Sequence, residues 1–468
     1  MSHLDLMAAL ELRRLIATRA VSPVELTERA LTRAEASQAS LNAFCLLMPE
    51  EARAAARRAE EAVMRGSPLG LLHGLPVSVK DLIAVAGVPY ASGSRVMAGN
   101  VAAADAPSVE RLRAAGAIII GKTTTSEFGA KPVGDSPLTG ITRHPWDLTK
   151  TPGGSSAGAA ASVAAGITPF ALGTDGGGSL RIPAALTGLV GFKAQFGRVP
   201  VWPTSATPTL AHVGSLARNV TDAALLTSAV AGHDLRDPFA VAGPVPDLLG
   251  AAEASVEGLR VAWSATLGYA RPDPDVVAVA RAAAMALADQ GAIVEEVEAV
   301  LESDPADLWA AEFYAGVGTR LRGVLEGRRD LLDPAVADVL DVALAQEMRA
   351  YYESVFARYA LRDRMAGFFT TYDVLLSPTL PISSLEAGRN IPEGLEDRSL
   401  VSWVFYTYPF NLTGQPAASV CAGLASDGMP VGLQIVGRGL GEADVLRAAA
   451  AIERTQPPGY NLRPFTGQ

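Results

Sequence analysis

An α/β fold on a parallel or mixed sheet is what this sequence predicts, and three observations predict it. Apolar runs of strand length, such as Pro76-Val-Ser-Val-Lys80 and Ala117-Ile-Ile-Ile120, alternate with helix-length segments. At 468 residues and 49% hydrophobic, the chain can bury a large core. No internal repeat, low-complexity tract or linker divides it.

Residues 5–65 read as two or three amphipathic helices. Ser22 caps one of them, with Pro23 at the first helical position and Glu25 three residues after the cap. Ala52 to Met64 is a solvent-facing helix. A strand at 76–80, a helix at 108–115 and a strand at 117–120 follow. Ala157 to Ala165 is a small-residue helix suited to close packing on a sheet. Phe170-Ala-Leu-Gly173 runs into a glycine loop, and Leu189-Val-Gly-Phe192 is a further strand. Residues 200–215 read as loop. Leu259 to Trp263, a helix over 274–290 and Ala292 to Val297 form a β-α-β unit. Residues 302–372 are helical, with one long helix across Ala343 to Met365; strands at 374–378 and 431–436 and a helix at 442–453 close the chain.

The net charge is −10, with 49 acidic against 39 basic residues and no basic block, which argues against nucleic acid and anionic membrane as partners. No run reaches the roughly 18 apolar residues of a membrane helix. The first residues lack a charged-then-apolar leader, so the expected location is cytoplasmic. Cys45 and Cys421 read as reduced core thiols, and no Cys/His cluster has metal spacing, so neither metal nor cofactor is implied. The five histidines read mostly as loop or surface residues. All five lysines fall between positions 80 and 193, and arginine supplies the other positive charges. Arginine cannot lose its proton, so lysine is kept where a titratable amine is needed.

Three motifs compete for the chemistry. Gly116-Ala-Ile-Ile-Ile-Gly-Lys122-Thr123 matches a phosphate loop letter for letter, which would make this an ATP-binding protein. Its four central residues form a strand, whose amides are tied into a ladder rather than converging on a phosphate. Gly154-Ser155-Ser156-Ala157-Gly158 matches a nucleophile elbow centred on Ser156, but no histidine follows His233 to complete the usual chain order. The third is a lysine in an apolar run, Lys80, with two glycine-flanked serines, Ser155 and Ser179. A lysine base, a bridging serine and a nucleophilic serine could open an amide without histidine or metal.

The run from Gly74 to Lys193 resembles the amidase signature family. The matching pieces are Gly74-Leu-Pro-Val-Ser-Val-Lys-Asp81, Gly116 to Thr123 with Glu127-Phe128, Thr151-Pro-Gly-Gly-Ser-Ser156, and Gly173-Thr-Asp-Gly-Gly-Gly-Ser-Leu-Arg-Ile-Pro-Ala-Ala185. Weaker likeness extends to Val24-Glu-Leu26, Pro409 to Ala417 and Pro430 to Gly437. The resemblance implies a single domain over 1–468, with a central twisted mixed sheet of many strands wrapped by helices. Within it, helices occupy 1–70, the signature region 74–193, and a variable helical region about 300–400.

By the same resemblance Ser179 is the nucleophile, Ser155 the bridging serine and Lys80 the base. Gly176, Gly177 and Gly178 are expected to turn N–H groups toward the oxyanion, with glycine supplying unusual backbone angles. Ser156, Asp175 and Arg181 are expected to orient the loops, the last two as a buried salt bridge. Several positions depart from the commonest pattern: Ala157, Ala159, His144, Ser215 and Gly176. Gly176 is expected to loosen the loop or enlarge the acyl pocket.

The expected activity is hydrolysis of linear aryl or alkyl amides and anilides, extending to esters and carbamates. The pocket is expected from 128–132, 200–212, 305–365, 378–395 and 403–411, with Trp202, Trp309, Phe313, Tyr314, Trp403, Phe405, Tyr406 and Tyr408 as candidate walls. The rival within the family is the glutaminase component of a tRNA-dependent amidotransferase, against which Ile182 counts, since glutamine is expected there. Small-molecule amides are the expected partners, and the oligomeric state is left open, a homodimer included.

Overall fold

The computed structural model describes residues 3–397 and 399–457, together with 459, 463 and 465. Helices α1 (Ala9–Ala17) and α2 (Pro23–Leu41) come first. Ser22 Oγ accepts from the N–H groups of Val24 and Glu25, so the cap read from the sequence holds. Strand β1 (Phe44–Leu47) and helix α3 (Pro49–Arg65) follow. Next come β2 (Pro76–Lys80), α4 (Pro107–Ala114) and β3 (Ile118–Thr123), then a small ribbon of β4 (Asp135–Ser136) and β5 (Gly140–Ile141). The catalytic-looking stretch is α5 (Ala157–Ala164), β6 (Phe170–Asp175), α6 (Arg181–Thr187) and β7 (Val190–Lys193). After it lie β8 (His212–Ala217), α7 (Val220–Val230), α8 (Leu248–Glu253), β9 (Arg260–Trp263), α9 (Pro274–Met285) and β10 (Ile293–Glu296). Helices α10 (Ala306–Gly327), α11 (Pro334–Leu344) and α12 (Met348–Thr371) precede β11 (Val374–Pro378), α13 (Pro409–Leu412), β12 (Ala417–Leu424), β13 (Pro430–Gly437) and α14 (Glu442–Thr455).

One mixed sheet of 11 strands runs in the order β1-β3-β2-β6-β8-β7-β12-β13-β11-β9-β10. β2 is parallel to both β3 and β6, while β8 is antiparallel to β6. Val77, Val79, Phe170 and Leu172 on the central strands are fully buried, each contributing about 1.5–3 kcal/mol of burial free energy. The alanine and glycine content of α5 lets it lie against this sheet: a β-carbon on Gly158 would come within 2.1 Å of Ala43 O.

Several expectations are corrected. Phe44–Leu47 is an edge strand rather than part of a helix, because it pairs with β3, and Cys45 on it is exposed, not buried. His212 to Ser215 opens β8, where loop was expected, since it pairs with β6 and β7. The single long helix is two, α11 and α12, broken between Leu344 and Met348. β12 is a further strand with no counterpart among those expected from the sequence; it pairs with β7 and β13. His73, His144 and His212 are buried rather than superficial. No helix among the described residues is long and apolar enough to cross a membrane.

Candidate active site

The parallel register sets Val79 of β2 against Leu172 of β6, so Lys80 reaches the C-terminal end of β6, beside Thr174. The Gly154–Ser155 peptide, which is cis, and the first turn of α5 bring two serines to the same point. Lys80 Nζ lies 2.7 Å from Ser155 Oγ, 2.9 Å from Ser156 Oγ and 2.8 Å from Thr174 Oγ1. Ser155 Oγ is in turn 2.9 Å from Ser179 Oγ. Among the described residues no carboxylate pairs with Lys80, whose side chain is wholly buried. Burial pushes its pKa well below the ordinary 10.5, and the charge of Asp175 offsets this only in part.

A neutral amine has two N–H bonds and one lone pair, so two of its three oxygen neighbours accept and one donates. Ser156 Oγ donates to Thr174 O at 3.1 Å, so it accepts from the amine. Of Ser155 and Thr174, one then accepts and one donates. The geometry has Ser155 Oγ accepting from Lys80 and donating to Ser179 Oγ. A proton path from Ser179 to Lys80 runs along the same two hydrogen bonds with their direction reversed. The sequence did not single out Thr174: only the strand register makes it a partner.

The glycine loop between β6 and α6 is braced from below by a buried pair. Arg181 Nη2 donates to Asp175 Oδ1 at 2.9 Å and Nε to Oδ2 at 3.0 Å. Arg181 also donates to Thr407 O, Gln434 Oε1 and Asn411 Oδ1. Burial opposes the Asp175 charge, but Arg181, with Lys193 and His212 beyond it, holds the carboxyl below the usual range. Asp175 Oδ1 also accepts from the N–H of Gly178 at 2.8 Å. That N–H therefore does not face a substrate, which narrows the expected oxyanion donors. The N–H groups of Gly176, Gly177 and Ser179 take no partner among the described residues.

Glycine serves two purposes in this loop. Gly178, at φ +130°, occupies a backbone region that side chains resist. At Gly176 and Gly177 the reason is close approach instead. A β-carbon there would lie 2.9 Å from the Phe313 ring and 2.7 Å from the Trp309 ring. The expectation that Gly176 loosens the loop or enlarges the pocket is thus corrected: Phe313 takes the room, and Trp309 Nε1–H donates to Gly176 O at 2.8 Å.

Ser179 opens onto a cavity of about 360 Å³ lined by Leu82, Ile83, Tyr90, Phe128, Trp202 and Phe313, among others. It also reaches a smaller one of about 20 Å³ beside Gly177, Trp309 and Val404. Of the aromatic walls expected, Trp202 and Phe313 line the large cavity and Trp309 the small one. Tyr314, Trp403, Phe405, Tyr406 and Tyr408 are core residues. Nothing from 378–395 lines either cavity, whereas Tyr90 and the 82–108 stretch, unremarked in the sequence, line the larger.

The two competing motifs go elsewhere. Residues 118–123 of the phosphate-loop pattern are β3, and Lys122 Nζ, fully buried, donates to Asp81 Oδ1 at 3.1 Å. No histidine contacts Ser156 among the described residues. His144 bonds Leu186 O and the N–H of Trp146, and His212 lies beside Lys193.

The Amidase family model matches residues 25–446. The chain is 36% identical over 461 residues to an acylamidase of Rhodococcus erythropolis, covering 97% of this chain and 96% of that one. It is also 36% identical over 468 residues to a glutamyl-tRNA(Gln) amidotransferase component of Chloroflexus aggregans, covering 94% of each. Among solved structures, a bacterial aryl acylamidase of the amidase signature enzymes superposes with a TM-score of 0.92 at 31% identity, over 98% of both chains.

Proposed function

The chain belongs to the amidase signature family and is an amidohydrolase, and from that premise we propose that it cleaves small aryl or alkyl amides through an acyl-enzyme on Ser179. The observation that carries this is the unbroken path from Ser179 Oγ through Ser155 Oγ to the buried Lys80 Nζ, at 2.9 and 2.7 Å. Ser179 attacks the carbonyl carbon while its proton passes to Ser155 and that of Ser155 to Lys80. The N–H groups of Gly176, Gly177 and Ser179 are the candidate donors to the tetrahedral oxyanion; one such donor contributes on the order of 3 kcal/mol. The proton then returns by the same path to the leaving nitrogen and the C–N bond breaks. Water, deprotonated along the same route, releases the acid.

The cavity supports an apolar, aromatic-bearing substrate. Leu82, Ile83, Phe128, Trp202 and Phe313 are among its walls, and Ser92, Thr204, Ser205 and Arg320 also line it. The relatives named as amidotransferase components give the rival reading equal sequence identity. A free amino acid would need a carboxylate for its ammonium group. The one carboxylate lining this cavity, Asp175, is committed to Arg181. Ile182 beside the loop is apolar.

The test is labelling with a fluorophosphonate, in which the attacking serine oxygen forms a P–O bond and fluoride leaves. Peptide mapping is expected to place the label on Ser179; label on Ser156 overturns the assignment. Hydrolysis of an anilide by the isolated chain supports the amidase reading, and glutamine hydrolysis appearing only with co-purified partner proteins supports the rival.

A further inference from the structure

We propose that Trp309, on α10, is a positioning residue for the oxyanion loop: its indole N–H fixes the direction of the Gly177 N–H. This rests on Ser179 being the nucleophile. The C=O and N–H of a trans peptide point in opposite directions. Holding Gly176 O therefore aims the Gly177 N–H the other way. Trp309 Nε1–H holds that oxygen at 2.8 Å, across 133 residues of sequence. Thr407 Oγ1 does the same for the next peptide, donating to Gly177 O at 2.6 Å, and the Gly178 N–H on its far side meets Asp175. Both carbonyls of the loop are thus clamped by side chains from outside it. Of the two amides so aimed, that of Gly177 alone is left for a substrate.

The clamp is rigid. The Trp309 ring is stacked on Phe313 at 4.4 Å with 20° between planes, faces Tyr408 at 5.9 Å, and takes the edge of Tyr314 at 5.3 Å. It is 4% exposed. Trp309, Gly177 and Ser179 border the small cavity together. The indole therefore touches the loop without reaching the reacting atoms, and its influence passes through one peptide plane.

The experiment compares wild type, Trp309→Phe and Ser179→Ala. The readouts are kcat and KM on a chromogenic anilide, and the affinity and rate constant for phosphonylation by a fluorophosphonate. Trp309→Phe keeps a ring against Phe313 and removes the donor. The expected result is a fall in kcat and in the phosphonylation rate constant on the order of 10- to 100-fold, with KM and the reversible affinity within about twofold. A merely structural role would move binding and stability together. Unchanged rate constants, or a loss confined to KM, overturn the proposal. Should Trp309→Phe not fold, 3-benzothienylalanine at position 309, with sulfur in place of the N–H, poses the same question with the same two outcomes. A wild type unlabelled at Ser179 overturns the functional reading itself; a labelled wild type with an unaffected Trp309→Phe overturns only this inference.

Discussion

Around Ser179, Lys80, Ser155, Ser156, Thr174, Asp175 and Arg181 hold one another by directed hydrogen bonds within 3.1 Å. Across the cavity, the 200–207 stretch and α10 present Val201, Trp202, Phe313, Val317 and Leu321, with Thr204, Ser205, Thr207 and Arg320 as their polar members. A hydrogen-bonded buried group tolerates little change, because any partner left behind is desolvated and unpaired. An apolar wall can be recut at the cost of fit alone. The floor is therefore expected to set the chemistry and the roof the choice of substrate, with Trp309, on the roof's helix but bordering only the smaller cavity, reaching across to the glycine loop of the floor.

The largest test of that division is Lys80→Met. Turnover is expected to fall about 10²- to 10⁴-fold, as for loss of a general base, while thermal melting shows a folded protein; a loss below tenfold would dissolve the contrast. The same amine predicts the pH profile. Because its folded pKa lies well below 10.5, the free base forms as pH rises through that lowered value. Then kcat/KM should climb with pH and level off well short of 10.5. The folding linkage has matching sign: between the lowered and the ordinary pKa the unfolded chain binds the extra proton, so this group's contribution to stability grows with pH. An acid limb centred near 10.5 would remove Lys80 as base. Asp175→Ala comes next. It strands the buried Arg181 charge, and urea unfolding should show a loss of about 3–5 kcal/mol; an unchanged midpoint would mean the brace is dispensable. On the roof, Trp202→Ala should raise KM for a bulky anilide about tenfold with kcat nearly constant. A fall in kcat instead would extend the floor's role upward. Smallest of all, Lys150→Ala breaks only a half-exposed contact with Glu386 and should cost less than about 1 kcal/mol by the same urea assay.

Much of the floor was legible in the sequence because its residues sit in short contiguous motifs. Two glycine-serine turns and a lysine in an apolar run announce themselves. Thr174 did not, since its partnership with Lys80 depends on the parallel register of β2 and β6. Trp309 was legible as an aromatic near the pocket, but its bond to Gly176 O spans the whole intervening fold. The four-residue β1 was hidden between two helices and is a strand only because β3 offers it an edge. The break between α11 and α12 was missed because the helical composition runs on through Ala345, Gln346 and Glu347.

One hydroxyl, that of Ser155, stands between Lys80 Nζ and Ser179 Oγ. On the proposed mechanism, each activation of Ser179 therefore shifts two hydrogens in concert rather than one. In mixtures of light and heavy water, the acylation rate should bend below the straight line joining its two extremes, whereas a lysine touching Ser179 directly would trace that line.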